Sequence, residues 1–338
     1  MFSFPESDVQ RLAALIAENE FFALVCHTNP DGDAMGSTLG LADWLRQQGK
    51  TAVVVVPDMY PDFLSWLPGA QEAVRADKYP DKAALTVAAA DVVVCMDFNT
   101  PSRTSDVEQP IREAKGHRVL IDHHLDPEAG FCELTFSQPD ASSTCELVYT
   151  LIEALHGEAH LSKQAAVCLY CGMMTDTGAF TFNSNRADIF YIISRLLEHG
   201  IDKDDIYRRV FYNYSEGRLR MMGYALYEKM RLFPEKKASL ITLTRAEMKR
   251  FRFNKGDTEG FVNLPLQIRN VRFSAFLRED TEKDMIHASF RSVGTFPCNR
   301  FATTYWGGGG HLNAAGGRFT GTLDEAVAHF EKCLAEFK

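Results

Sequence analysis

Four short runs constrain this chain more than anything else in it: Phe21–His27 (FFALVCH), Thr51–Pro57 (TAVVVVP), Asp91–Asp97 (DVVVCMD) and His117–Asp122 (HRVLID). Each has a continuous apolar, β-branched centre and lacks the polar alternation of a strand with one wet face. Each therefore reads as a strand buried on both faces. Between the first two lies AMGSTLGLADWLRQQGK, with apolar spacing suited to a helix and Gly49 as its stop. Buried strands separated by helices predict an α/β fold, a mainly parallel sheet covered by helices. Ligands of such sheets bind beyond the carboxyl ends of the strands. Three of the four runs end in acid or imidazole groups: His27 with Asp31 and Asp33, then Asp97, then Asp122-His123-His124. A site is expected at that edge.

Further along, SSTCELVYTLIEALHG opens with Ser143 and Glu146 at capping-box spacing and continues as a helix. A helix around KQAAVCLYCGMM leads into TDTGAF and places Asp176 at a helix-to-loop junction. From Asn185 to Leu232 the pattern is helical and charged, as suits a connector. Strands are then expected in KKASLITLT, VRFSAFLRED and MIHASFRSVG, and a helix in FPCNRFATTYW. The run GGGGHLNAAGG and a terminal helix, TLDEAVAHFEKCLAEF, complete a smaller α+β domain. The expected division is 1–190 for the first domain, 191–232 for a helical connector and 233–338 for the second domain.

At 338 residues the chain is long enough for two domains. A net charge of −9 argues against a broad basic surface for long duplex nucleic acid, though not against a small basic pocket. The N-terminus lacks the features of a signal peptide, and no apolar run approaches the length of a membrane span. Eight cysteines scattered through apolar segments fit reduced thiols, so a cytoplasmic protein is expected. Cys168 and Cys171 form a C-x-x-C without the second pair a zinc site needs, and they read as helix positions.

In HTNPDGDAMGS, Asp31 and Asp33 sit in a tight loop and can diverge toward two cations. Turn chemistry alone also accounts for Asn-Pro-Asp-Gly-Asp, with Asp33 as a helix cap, and Asp97 reads equally as a capping acid. Coincidence favours chemistry, because a metal-free cluster of carboxylates would repel itself and raise its own pKa values. Two divalent cations about 3.5–4 Å apart, sharing a carboxylate, are a usual arrangement for phosphate-ester hydrolysis. His123 and His124, if both lie on the strand, point to opposite faces and have separate tasks. In the second half, four glycines let backbone N–H groups approach an anion closely, with His311 donating from the same turn. Arg291 is either a bidentate phosphate ligand or a solvated charge on a strand. Asp257–Asn263 (DTEGFVN) carries no catalytic apparatus and reads as a loop entering a helix.

HTNPDGDAMGS, MDFNTPSR, IDHHLD and MMTDTGAFTF, in that order, resemble the four motifs of the DHH phosphoesterase superfamily. GDTEGFVNLPLQIRNV, ASFRSVG and GGGGHLNAAGG resemble the DHH-associated C-terminal domain. Together they are similar to the bifunctional oligoribonuclease and pAp phosphatase family, the NrnA-type nanoRNases. The resemblance implies two Mn²⁺, with Co²⁺ or Mg²⁺ admitted by the ligand set. It implies His27 and Asp31 on the first metal, Asp33, His123 and Asp176 on the second, and Asp97 bridging. Asp122 would orient an imidazole, and His124 would contact the scissile phosphate.

Arg291, Ser292, Gly308, Gly309, Gly310 and His311 would bind substrate. Phe261 and Asn263 would help hold the nucleotide, Phe261 as a base-stacking platform. The implied substrates are short single-stranded RNA and small nucleotides such as pAp and pApA, held between domains of a homodimer. Two rivals remain: a phosphodiesterase for linear or cyclic diadenylate with the same metal centre, and a nucleotide sensor without turnover. The sensor fits less well, since every motif position is filled. A family II pyrophosphatase would lack the Gly-rich His element, and a RecJ-type exonuclease would carry further domains.

Overall fold

The computed structural model describes residues 2–337 and divides into two compact units between Asn213 and Tyr214. In the first unit, six strands form one sheet: β1 (Phe21–Val25), β2 (Thr51–Val56), β3 (Val74–Arg75), β4 (Val92–Met96), β5 (His117–Asp122) and β6 (Leu134–Ser137). Their order is β3-β2-β1-β4-β5-β6, and every neighbouring pair is parallel. The chain winds outward from β1 in one direction and from β4 in the other, so the β1/β4 junction is the topological switch point. Register fixes what meets there. Val25 lies opposite Cys95, and Met96 lies opposite Ile121. The residues that follow these strands therefore emerge at one level.

Eight helices accompany this sheet: α1 (Glu6–Glu18), α2 (Gly32–Gln47), α3 (Pro80–Ala89), α4 (Glu108–Glu113), α5 (Thr144–Ala154), α6 (Lys163–Asp176), α7 (Ala187–Glu198) and α8 (Lys203–Phe211). Phe22 and Leu24 of β1 join one apolar core with α1, α2, α5 and α6, whereas Ala23 and Val25 join the other with α3 and α4. Burial on both faces explains why the strands read as unbroken apolar runs. Within the 191–232 stretch expected as a connector, the division falls after Asn213. Helices α7 and α8 pack in the first unit's core, and α9 (Glu216–Tyr224) packs in the second's. No helix among the described residues is long and apolar enough to cross a membrane.

Helices α2 and α6 approach backbone to backbone. A Cβ at Gly36 would lie 2.5 Å from the Cys168 carbonyl oxygen, and one at Gly172 would lie 3.1 Å from Asp33 Cα. Cys168 and Cys171 are buried positions on α6, and all eight cysteines are unpaired thiols. The expected capping box at α5 forms only in half. Ser143 Oγ accepts from Glu146 N at 3.1 Å. The Glu146 carboxylate turns instead to Ser142 N at 2.7 Å and Ser142 Oγ at 2.8 Å, and pairs with the Arg186 guanidinium.

The second unit holds a mixed sheet of β7 (Arg231–Phe233), β8 (Ala238–Leu243), β9 (Phe273–Glu279), β10 (Ile286–Ser292), β11 (Gly309–His311) and β12 (Ala314–Phe319), in the order β11-β12-β10-β9-β8-β7. Only β8 and β9 pair in parallel. Helices α10 (Arg245–Arg250), α11 (Cys298–Tyr305) and α12 (Leu323–Glu336) accompany it. Phe273, Phe290, Phe301 and Phe330 fill one core, and Phe261 and Phe276 belong to another.

The α2–α6 contact has a measurable consequence. Gly36→Ala forces a methyl into backbone atoms and should destabilise the protein by about 1–3 kcal/mol, read as a lower urea midpoint. Gly223→Ala, on α9 where a Cβ meets nothing within 4 Å, should be neutral or slightly stabilising. Equal effects at the two sites would contradict the close-approach argument.

Candidate metal centre

Asp97 follows β4 directly, is 1% exposed and adopts a left-handed φ of 61°. Its backbone N–H donates to the Ile121 carbonyl at 3.1 Å, which ties it to the end of β5. Its carboxylate gathers the site. Asp97 Oδ2 lies 3.4 Å from His27 Nε2. Asp97 Oδ1 lies 3.5 Å from His123 Nε2 and 3.7 Å from His124 Nδ1, and accepts from Thr144 Oγ1 at 2.9 Å. His27 Nδ1 faces the Thr28 carbonyl at 2.8 Å, so the tautomer that donates there leaves Nε2 as the ligand nitrogen.

Helix α2 starts on Asp31, whose Oδ1 accepts from Asp33 N and Ala34 N, both at 3.0 Å. The capping role open to Asp33 therefore falls to Asp31, whose other oxygen stands 4.0 Å from His27 Nε2. Asp33 is 1% exposed and is held by the N-terminus of α5: Thr144 N donates to Oδ2 at 2.6 Å and Cys145 N to Oδ1 at 2.9 Å. His123 Nε2 is 3.8 Å from Asp33 Oδ2 and 3.7 Å from Asp176 Oδ2 at the end of α6. Two donor groups result, His27-Asp31-Asp97 and Asp33-Asp97-His123, each with its ligand atoms within 4.8 Å of one another. Asp97 belongs to both.

The two adjacent histidines do not diverge as strand alternation predicts. Strand β5 ends at Asp122, so alternation does not govern His123 and His124. Their rings meet edge to face with centroids 5.0 Å apart, and both approach the same Asp97 oxygen. Their tasks still differ through their other partners. Asp122 Oδ1 lies 2.7 Å from His124 Nδ1, whereas His123 Nδ1 is 3.3 Å from the Ala141 carbonyl. Asp122 thus orients His124 rather than His123. Its Oδ2 is buried without a hydrogen-bond partner among the described residues.

The donor chemistry fits two divalent cations. Burial, with Asp97 and Asp176 nearby, pushes Asp33 well above the usual carboxylate range although two backbone N–H groups donate to it. Burial also works against charge on Asp97, yet His27, His124 and His123 hold it below that range. Burial opposes charge on His123, but Asp176, Asp97, Asp33 and Asp122 push it up to about 9. His27 is raised as well, against its burial, by Asp97 and Asp31. Carboxylates and imidazoles packed this closely offer the oxygen and nitrogen donors that divalent cations take.

The residues expected on the second unit divide differently. Arg291 on β10 and His311 on β11 both pair with Ala314 of β12, so they share one face of the sheet about 10 Å apart. Gly309 and Gly310, the last two of the glycine run, open the edge strand β11. A Cβ at Gly308 would lie 1.8 Å from the Gly316 carbonyl oxygen and one at Gly310 would lie 2.4 Å from that of Ala314, so the hairpin itself demands these glycines. Gly309 alone of the three faces open space. Ser292 is buried and pins the turn, donating to the Phe296 carbonyl at 2.7 Å and accepting from Asn313 Nδ2 at 2.8 Å. Asn263 lies half-buried in a 3₁₀ turn. Phe261 is 1% exposed and packs against Phe276, so it offers no face for a base.

Two contributors escaped the sequence reading. Thr144 serves Asp97 with its hydroxyl and Asp33 with its N–H; its signal was its place at the first turn of a helix following serines. Asn99 Nδ2 donates to the Leu125 carbonyl at 2.7 Å and so ties the loop after Asp97 to the loop after His124.

Residues 22–173 match the DHH family, N-terminal domain, and residues 239–336 match the DHHA1 domain. The bifunctional oligoribonuclease and PAP phosphatase NrnA of Thermus thermophilus is 30% identical over 316 residues, 93% of this chain and 89% of its own length. The cyclic-di-AMP phosphodiesterase GdpP of Geobacillus thermodenitrificans is 30% identical over 204 residues, 56% of this chain but 30% of its own. A crystal structure of an exopolyphosphatase-related protein from Bacteroides fragilis superposes with a TM-score of 0.95 at 47% identity, covering 100% of this chain and 98% of that one.

A parallel sheet with a shared carboxylate among imidazoles at its switch point, joined to a DHHA1 domain, defines a divalent-metal phosphoesterase of the DHH class. Within that class, the chain belongs to the NrnA family.

Because a ligating imidazole must be unprotonated, cation binding at these candidate donors would displace protons from His123 and His27. Apparent Mn²⁺ affinity should therefore rise from pH 6 to about 9, where His123 loses its proton, and flatten above. Calorimetry in buffers of different ionisation enthalpy measures the proton release; pH-independent affinity with no proton release would contradict this electrostatic account.

Proposed function

We propose that the chain hydrolyses very short nucleotides, releasing 5′-mononucleotides from oligoribonucleotides and phosphate from 3′-phosphoadenosine 5′-phosphate. The observation that carries this reading is Asp97, one buried carboxylate with His27 on one oxygen and His123 on the other. His27 and Asp31 would hold the first cation, Asp33, His123 and Asp176 the second, and Asp97 both. Mn²⁺ is the proposed ion, with Co²⁺ or Mg²⁺ as substitutes. Held there, divalent ions supply Lewis acidity to the phosphoryl group and make water nucleophilic at neutral pH.

The chain's own groups do the rest. Thr144 and Cys145 N–H groups orient Asp33. Asp122 accepts a hydrogen bond from His124 Nδ1–H and so orients the ring toward the phosphoryl group. Arg291 and His311, together on one sheet face, are the proposed phosphate donors of the second unit. A net charge of −9 suits this substrate size, since a long polyanion is repelled. The proposed setting is the cytoplasm and the proposed assembly a homodimer.

The Thermus thermophilus relative, named for both activities, matches over most of its length. The GdpP match favours a second reading, hydrolysis of diadenylate, but spans 30% of that protein.

Steady-state kinetics with Mn²⁺ on pAp, pApA and 5′-labelled di- to pentaribonucleotides decide between them. Highest kcat/KM on pAp and the shortest oligoribonucleotides is expected; pApA dominance would favour the second reading, and no turnover on any would overturn both. Asp97→Asn should cost on the order of 10³-fold in kcat with an unchanged circular-dichroism spectrum. Full activity in that variant would remove the shared-carboxylate argument.

A further inference from the structure

The proposed substrates carry nucleobases, and with Phe261 buried no partner for them has been identified. The segment that follows α6 supplies one. Gly178, Ala179 and Phe180 are all left-handed, with φ of 54°, 57° and 63°, and Asn183 follows at 42°. Consecutive left-handed residues bearing side chains are strained and persist only where surrounding bonds over-determine them. Here they do. Ala179 N donates to the Met174 carbonyl at 2.8 Å, and Phe180 N to Thr177 Oγ1 at 3.0 Å. Thr181 N and Phe182 N both donate to the Thr177 carbonyl at 2.9 Å, and Ser184 Oγ closes the turn on the Phe180 carbonyl at 2.8 Å.

This turn carries the Phe182 ring on the segment that leaves Asp176. The ring packs over Gly178, where a Cβ would lie 2.6 Å from Phe182 Cδ2, and Gly178 is two residues past Asp176. On its other side, Asn183 Nδ2 donates at 3.2 Å to the Ala141 carbonyl, the same oxygen that stands 3.3 Å from His123 Nδ1. Phe182 is thus fastened between neighbours of two ligands of the second cation, and yet it is 49% exposed. Behind it, Phe180 is half-buried between Tyr170 and Phe190, with ring centroids 5.7 and 6.4 Å away, so the turn has an apolar backing that Phe182 does not join. A strained, heavily bonded turn that leaves an aromatic ring half-exposed, while its neighbours bond to the surroundings of Asp176 and His123, is suited to an apolar ligand face.

We propose that Phe182 is the platform on which a nucleobase of the substrate stacks while its phosphate occupies the metal centre. The inference rests on the proposed nucleotide substrate and adds its recognition element. Stacking tolerates every base because each has a π-face, so it selects nucleotides without reading sequence. Its loss is expected to weaken binding by roughly tenfold to a hundredfold per base.

Calorimetric binding of adenosine 5′-monophosphate and of base-free ribose 5-phosphate to the Mn²⁺-loaded protein tests this. Wild type should bind the nucleotide tenfold to a hundredfold more tightly than the sugar phosphate. Phe182→Ala should bring the two affinities together by weakening only the nucleotide, and Phe182→Trp should restore the difference. Nucleotide affinity unchanged in Phe182→Ala, or both ligands weakened equally, would overturn the platform, as would a wild type without base preference. Wild-type turnover on pAp and short oligoribonucleotides is measured in parallel. Its absence would overturn the proposed activity, whereas a base preference lost in Phe182→Ala would still assign the stacking site.

Discussion

The buried carboxylate of Asp97 sits among the imidazoles of His27, His123 and His124, and the rest of the first unit exists to keep it there. A carboxylate in that position is expensive on two counts. Its left-handed backbone costs about 1–2 kcal/mol, and its burial would favour the neutral acid if the histidines did not oppose it. The parallel register of β1, β4 and β5 imposes the geometry, because residues leaving adjacent parallel strands at one level have nowhere else to converge. The switch point is where the helices on either side part, so the convergence opens outward.

The remaining candidate donors depend on helix packing. Asp33 enters near the start of α2 and Asp176 at the end of α6, and the backbone-to-backbone contact at Gly36 and Gly172 sets the distance between them. Asp33 is then seized by the N-terminus of α5, whose free N–H groups and positive dipole end favour a negative partner. Glu146, buried, and Arg186, half-buried, secure that helix start through an ion pair tied to Ser142. Precise placement of one acid thus rests on three helices and on residues that touch no ligand.

Much of this was legible in the sequence, for a definite physical reason. Burial on both faces produces unbroken apolar runs, and runs ending in Asp or His announce both the sheet and its functional edge. What was not legible depended on where an element stops or what packs against it. His123 and His124 escape strand alternation because β5 ends at Asp122, and a strand end cannot be read to one residue from composition. The glycine run looked like an anion loop because sequence does not reveal that the Gly316 and Ala314 carbonyls crowd it from β12. Phe261 lies in a core whereas Phe182, in the motif that carries Asp176, is half-exposed, and nothing in the local pattern of either segment distinguishes the two rings. Local pattern carries periodicity; exposure of a single aromatic is a tertiary property.

The central claim is that one carboxylate serves two cations at once. Electron paramagnetic resonance of the protein titrated with Mn²⁺ tests it most directly. Two ions per chain with the exchange-coupled spectrum of a bridged pair are predicted, the coupling lost in Asp97→Asn. A single uncoupled six-line signal saturating at one ion per chain would contradict the account.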